Sequence, residues 1–215
     1  MTLLITPDWP APPNVLAGTT TRAATDRVLP RGLLYPNQMH GATVVPVARL
    51  RESDGPVDAD AVTGRSPGDR CAVRTADCLP ILFCARDGSE IAAAHGGWRG
   101  VLAGVVENTV AALDANAANL LVWLGPAISR SAFEVGEEVR EAFVAADSRA
   151  AACFEPNARG RWQADLCLLA RQRLHMCGIS TVYGGHWCTY RDAETFWSYR
   201  RDAAVARMVS FIRLR

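Results

Sequence analysis

Apolar and polar positions follow two rhythms along this chain, and the rhythm changes at glycine and proline. Near the middle, apolar runs over Leu79–Ala85 and 90–95 flank Asp87-Gly88, a dipeptide that favours a tight hairpin turn. A turn centred there places His95 opposite Pro80. Because strand side chains alternate faces, Cys78 then shares a face with His95 as a diagonal neighbour, roughly 7–8 Å away at the backbone. Pro80 removes a ladder donor, which predicts an edge or a bulge beside this point.

The same reading predicts strands over 43–47, 58–64, 71–75, Leu120–Leu124, 179–183 and 205–214, with a short strand ending in a polar turn over 17–22. Helical spacing marks 101–113, 133–144 and 164–177, the last stopped by Gly178. Strands and amphipathic helices interleave irregularly, and no repeat or low-complexity tract interrupts them. The expectation is α/β (α+β), with a mixed sheet in layers and residues 1–215 forming one domain.

Composition narrows the function classes. The 215 residues are 49% hydrophobic, enough for a substantial core. Lys and Arg number 23 against 22 Asp and Glu, a net charge of +1, so there is no footprint for nucleic acid or an anionic membrane. No apolar run reaches the roughly 18 residues that span a bilayer, and Met1 to Pro10 lacks the pattern of a signal peptide. A cytoplasmic protein is expected. The seven cysteines form no C-x-x-C pair and are an odd number, as expected of free, buried thiols in a reducing compartment.

Chemistry concentrates at both ends of the stretch from Arg74 to Gly100. Cys78 and His95 are close enough to share one metal ion or act on one substrate. After His95, Gly96-Gly97-Trp98-Arg99-Gly100 leads from a strand into a helix, a turn that aims free N–H groups at an anion such as phosphate. Arg99 can clamp that anion, and Arg74 and Arg22 are further substrate-binding candidates. Asp77 is a nearby acid–base candidate, and Cys78 is alternatively a nucleophile with a histidine as base. His40 stands at a strand entrance beside Gly41, where an imidazole can face a cleft. Asp58 and Asp60 lie two apart on one strand face, which favours a solvated face or backbone capping over acid–base work. His175 reads as structural. His186 and Cys188 lack a third ligand nearby, and Arg200-Arg201 beside aromatics either meets a planar or anionic ligand or pairs with acids.

Several of these motifs together resemble a known family. Gln38-Met39-His40-Gly41, Thr75-Ala76-Asp77-Cys78-Leu79-Pro80, Ala93-Ala94-His95-Gly96-Gly97-Trp98-Arg99-Gly100, Gly125-Pro126-Ala127-Ile128, Cys188-Thr189-Tyr190 and Ser198-Tyr199-Arg200-Arg201-Asp202 are similar to the YfiH family. Its members are also called laccase-domain proteins, polyphenol oxidases or peptidoglycan editing factors. The resemblance runs from about residue 17 to the C-terminus. It implies a four-layer αββα sandwich related to cysteine hydrolases, with His40, Cys78 and His95 binding zinc. It also implies phosphorolysis of adenosine, inosine and S-methyl-5'-thioadenosine, with adenosine deamination. Two departures stand out. The segment between Arg22 and Gln38 is much shorter than the family's usual glycine-rich stretch, and Val205-Ala206-Arg207 replaces the usual Thr-Gly-Arg.

Two histidines and a cysteine with an open fourth position suit a catalytic zinc, while a single copper is the alternative metal for such donors. A multicopper centre is disfavoured by counting: of the 4 histidines, only His175 and His186 remain outside the triad. Other readings are amide hydrolysis in editing a cell-wall precursor, and a structural zinc in a binding protein, which a fourth ligand from His186 or Cys188 would favour. The partners expected are a nucleoside and phosphate.

Overall fold

The hairpin forms in the register its turn residues dictate. In the computed structural model, which describes residues 2–24, 26–203 and 205–215, Leu79 pairs with Gly96, Pro80 with His95 and Cys84 with Ile91. In chain order the elements are β1 (Leu4–Ile5), β2 (Val15–Thr20), β3 (Val44–Pro46), α1 (Val47–Glu52), β4 (Ala61–Gly64), β5 (Arg70–Thr75), β6 (Leu79–Ala85) and β7 (Ile91–Gly96). They continue with α2 (Trp98–Ala103), α3 (Val105–Ala111), β8 (Leu120–Leu124), β9 (Glu134–Val135), α4 (Glu137–Ala146) and β10 (Phe154–Pro156). The last are β11 (Trp162–Ala164), α5 (Leu166–Met176), β12 (Val182–Gly184), α6 (Tyr199–Asp202) and β13 (Met208–Leu214).

A mixed six-stranded sheet has the order β12-β8-β6-β7-β4-β3, and a four-stranded antiparallel sheet the order β1-β2-β13-β5. Every residue of β6 is buried, because the strand is covered on both faces. Leu79, Ile81 and Phe83 join Val101, Val105 and Leu169 in a core under the helices. Leu82 and Cys84 face the other way and pack with Val73, Ile212 and Val15 between the two sheets. Each such large apolar side chain contributes roughly 1.5–3 kcal/mol on burial. The α/β class and mixed sheet thus follow from a central hairpin apolar on both sides.

Four expectations are corrected. Pro80 is at neither an edge nor a bulge: β6 is central, pairing with β8 begins at Ile81, and the missing N–H of Pro80 falls beyond the last pair. The helix expected over 101–113 is two, since Gly104 takes a left-handed φ of 94° between α2 and α3 while the apolar spacing continues through it. The helix expected from 133 starts at Glu137, because Glu134–Val135 pairs with β11 instead. The final strand begins at Met208 rather than 205 and lies between β2 and β5.

Candidate active site

The open end of the hairpin carries the reactive groups. Cys78 immediately precedes β6, His95 lies in β7 and His40 arrives from the loop before β3, so that one ligand atom from each lies within 4.8 Å of the others. The two imidazoles meet edge to face, with ring centroids 4.7 Å apart. Among the described residues this is the one group of three or more potential metal ligands. The donor set suits zinc or copper, soft thiolate with imidazole. The space also suits an ion: a Cβ at Gly97 would come within 2.7 Å of His40 Nδ1 and 3.3 Å of Cys78 Sγ, so glycine keeps a hollow between them. His40, Cys78 and His95 therefore fit the metal their residue types suggest.

Asp60, the residue before β4, joins the groups around this hollow. Its Oδ1 lies 2.8 Å from His95 Nδ1 and accepts the His40 N–H at 2.9 Å, while its Oδ2 accepts the N–H of Gly41 at 2.7 Å and of Met39 at 3.2 Å. The solvated-face reading of Asp60 is overturned, since it is 1% exposed; the capping reading holds, with the histidine contact in addition. The contact was invisible in the sequence because it depends on β4 pairing with β7, Ala61 against Ala94. Its one sequence signal is an acidic residue set between apolar neighbours at the start of a strand.

The charges follow from these contacts. Burial would raise the Cys78 thiol, but hydrogen bonds with His40 and His95 outweigh it and bring it down to about 6. Burial would lower His95, but hydrogen bonds to Asp60 and Cys78 hold it up at about 9. Burial likewise opposes ionisation of Asp60, and its bonds to His95 and to the Gly41 and Met39 amides still keep it below the usual carboxylate range. A thiolate beside an imidazolium is thus the metal-free arrangement. Burial instead pushes Cys84, Cys153 and Cys167 up to about 12 and leaves Cys71 raised as well. Cys78 stands apart from those structural thiols.

The triad opens into a cleft of about 740 Å³, to which Arg74, Arg99, Arg200 and Arg207 contribute. Arg74 lies over the Tyr35 ring and Arg99 over the Trp98 ring, at 5.1 and 4.4 Å. Phe133 and Tyr199 add apolar wall. Of the segment between Arg22 and Gln38, Asn37 and Gln38 reach the cleft. Arg22 does not; it stacks on Trp197 at 4.4 Å and donates to the Ala193 carbonyl. Asp77 lines the cleft, but its carboxylate already accepts from Thr189 Oγ1 at 2.6 Å, Ser198 Oγ at 3.0 Å and the Arg200 N–H at 2.6 Å. It anchors the start of α6, and hence Arg200, to the bend that bears Cys78 just before β6. The Arg200-Arg201 pair divides between both expectations: Arg200 faces the cleft, while Arg201 pairs with Asp202 and binds the carbonyls of Thr189, Tyr190 and Phe196. His186 stacks on Trp187, Cys188 bonds Ser129, His175 is exposed on α5, and none of them joins the triad.

Fold and site together define a mixed-sheet α/β protein with a metal-capable His–Cys–His centre in a basic cleft. Residues 12–215 match the family described as "Multi-copper polyphenol oxidoreductase laccase", and the chain belongs to that family. It is 44% identical to the purine nucleoside phosphorylase YfiH of Escherichia coli (strain K12), over 99% of each chain. It is 43% identical to a purine nucleoside phosphorylase of Pseudomonas aeruginosa, covering 99% of this chain and 98% of that one. Among solved structures, the Neisseria meningitidis protein NMB0706 superposes with a TM-score of 0.91 at 41% identity over 99% of both chains. YlmD from Geobacillus stearothermophilus, 23% identical, shares the fold with a TM-score of 0.90 over 100% of this chain and 97% of that one.

Proposed function

We propose that this protein is a zinc-dependent purine nucleoside phosphorylase acting on adenosine, inosine and S-methyl-5'-thioadenosine, with adenosine deaminase activity at the same centre. The observation that carries the reading is the convergence of His40, Cys78 and His95 at one end of a cleft lined by Arg74 and Arg99. The names of the relatives support the phosphorylase part of the reading. In phosphorolysis a phosphate oxygen forms a bond to the ribose C1′ as the C1′–N9 bond breaks, and the departing electron pair passes to the purine, which takes up a proton. Arg99 and Arg74 bind and orient the phosphate, joined by Arg200 and Arg207, which line the same cleft. Phe133 and Tyr199 offer aromatic surface for the base. Zinc held by the triad supplies Lewis-acid or water-activating chemistry. Asp77, with its oxygens occupied, orients the wall that carries Arg200 rather than moving a proton.

The thiolate–imidazolium arrangement of Cys78 and His95 favours one second reading, a hydrolase that cleaves an amide through Cys78. Chromatography separates the two. Zinc-loaded protein given adenosine is expected to release adenine only with phosphate present, and inosine without it. His40→Ala, Cys78→Ala and His95→Ala are expected to release neither. No product from any purine nucleoside would overturn the phosphorylase reading and leave the hydrolase.

A further inference from the structure

We propose that Asp60 is a positioning residue that fixes two of the three metal ligands at once, setting the ring of His95 and the backbone of His40 from a single carboxylate. The proposal rests on reading the triad as a metal centre and does not depend on nucleoside chemistry. His40 has a left-handed φ of 58°, an unfavourable conformation for a residue with a side chain. That turn aims the successive N–H groups of Met39, His40 and Gly41 at one point, and Asp60 occupies it. The same Oδ1 that holds the His40 amide accepts a hydrogen bond from His95 Nδ1–H, which leaves His95 Nε2 as the nitrogen turned to the metal. Asp60 is also placed by the main chain on the other side: its own carbonyl accepts the His95 N–H at 2.7 Å, so carboxylate and imidazole are locked in register by the β4–β7 pairing.

The donor count makes the role specific. Four N–H groups converge on two carboxylate oxygens, and an asparagine of the same size has only one oxygen. With its amide nitrogen on one side, Asp60→Asn opposes the His95 ring and the His40 amide; turned over, it opposes Met39 and Gly41. The first orientation takes a bond from both ligands, and the second unpins the turn on either side of His40; Cys78 is untouched in both.

The test is metal binding, read by competition with a chromogenic chelator and by the spectrum of the cobalt(II)-substituted protein. Asp60→Asn is expected to weaken zinc roughly 10–100-fold. At saturating cobalt it should keep the thiolate-to-cobalt band of Cys78, with shifted d–d bands. Zinc affinity within threefold of wild type would overturn the proposal alone, whereas a wild-type chain that holds no zinc would overturn the metal reading as well. A measurement on the unaltered protein decides the case if the variant fails to fold: nitrogen-15 shifts of the zinc-loaded wild type should show His95 protonated at Nδ1 and metallated at Nε2. Metallation at Nδ1 would overturn the role assigned to Asp60.

Discussion

The two ends of the β6–β7 hairpin are both polar, and only one is arranged for reaction. At the turn end Glu90 is buried, and its carboxylate accepts from the Ala115 N–H at 2.6 Å, the Asp114 N–H at 3.0 Å and Arg65 Nε at 3.1 Å. The left-handed residue there is Gly88, with φ 74°, where a glycine carries no strain. At the open end the left-handed residues are His40 and Asp77, with φ 58° and 87°, each costing roughly 1–3 kcal/mol. Their strain is offset by the carboxylate of Asp60 in one case and by the bonds of Asp77's own side chain in the other. A cavity of about 650 Å³ lies at the turn end too, lined by Arg65, Arg86 and Glu90. Volume and charge are therefore common to both ends. What distinguishes the open end is ligand atoms that face one another, held by backbone that is unfavourable elsewhere.

That contrast breaks first if the open end can be dismantled without consequence. Cys78→Ala and His95→Ala each remove a metal ligand, and phosphorolysis of adenosine should fall at least about 10³-fold in kcat/KM. A folded variant that retains activity within tenfold of wild type would show that the triad does not carry the chemistry. The mirror experiment is Glu90→Ala. It leaves Arg65 Nε and the two amides without their acceptor, although Arg65 keeps the Ala112 carbonyl and Asp114, and urea unfolding should show a loss of about 3 kcal/mol with turnover per folded molecule unchanged. A loss of activity per folded molecule would mean that the turn end takes part in catalysis after all.

The hairpin and its register were legible because their determinants are local: Asp87-Gly88 sets the turn, and alternation then places Cys78 and His95 on one face. Its burial on both faces was legible in the unbroken apolar run. Three things were not. Pro80 signals an edge unless it is known that β8 starts pairing only at Ile81. Gly104 carries no mark that separates a helix break from a tolerated helical glycine. The place of Asp60 depends on β4 reaching β7, and that of Asp77 on Thr189 and Ser198, which lie 112 and 121 residues further along the chain. Arg22 shows the converse: an arginine near a polar turn is drawn toward Trp197 and away from the cleft, which only the packed structure reveals.

Gly97 sharpens the comparison at smaller scale. Its φ of −66° and ψ of 154° suit alanine, so Gly97→Ala should change stability by less than about 1 kcal/mol. The new Cβ would nevertheless crowd His40 Nδ1 and Cys78 Sγ, and zinc affinity should fall roughly tenfold. Unchanged zinc affinity would place the bound ion outside the hollow between those atoms.

The smallest effect concerns pH, and it follows from two opposite shifts. In zinc-stripped protein the Cys78 thiolate is held down to about 6, so alkylation by iodoacetamide should stay fast at neutral pH and fall as the pH drops through about 6. The thiols raised by burial, Cys71, Cys84, Cys153 and Cys167, should stay silent at neutral pH. For stability, the thiolate contribution is complete above 9.0, the ordinary cysteine value, and is lost as the pH falls through about 6. The His95 contribution is complete below 6.5, the ordinary histidine value, and is lost as the pH rises through about 9. Between 6.5 and about 9 the two slopes oppose each other, so the stability contributions of this pair should largely cancel across that window. His95→Gln removes one slope along with one of the hydrogen bonds that hold the thiolate down. Cys78 alkylation should then move to a higher pH in that variant. A midpoint near 9 in the unaltered chain would mean that the open end holds an ordinary thiol, and the distinction between the two ends of the hairpin would lose its electrostatic basis.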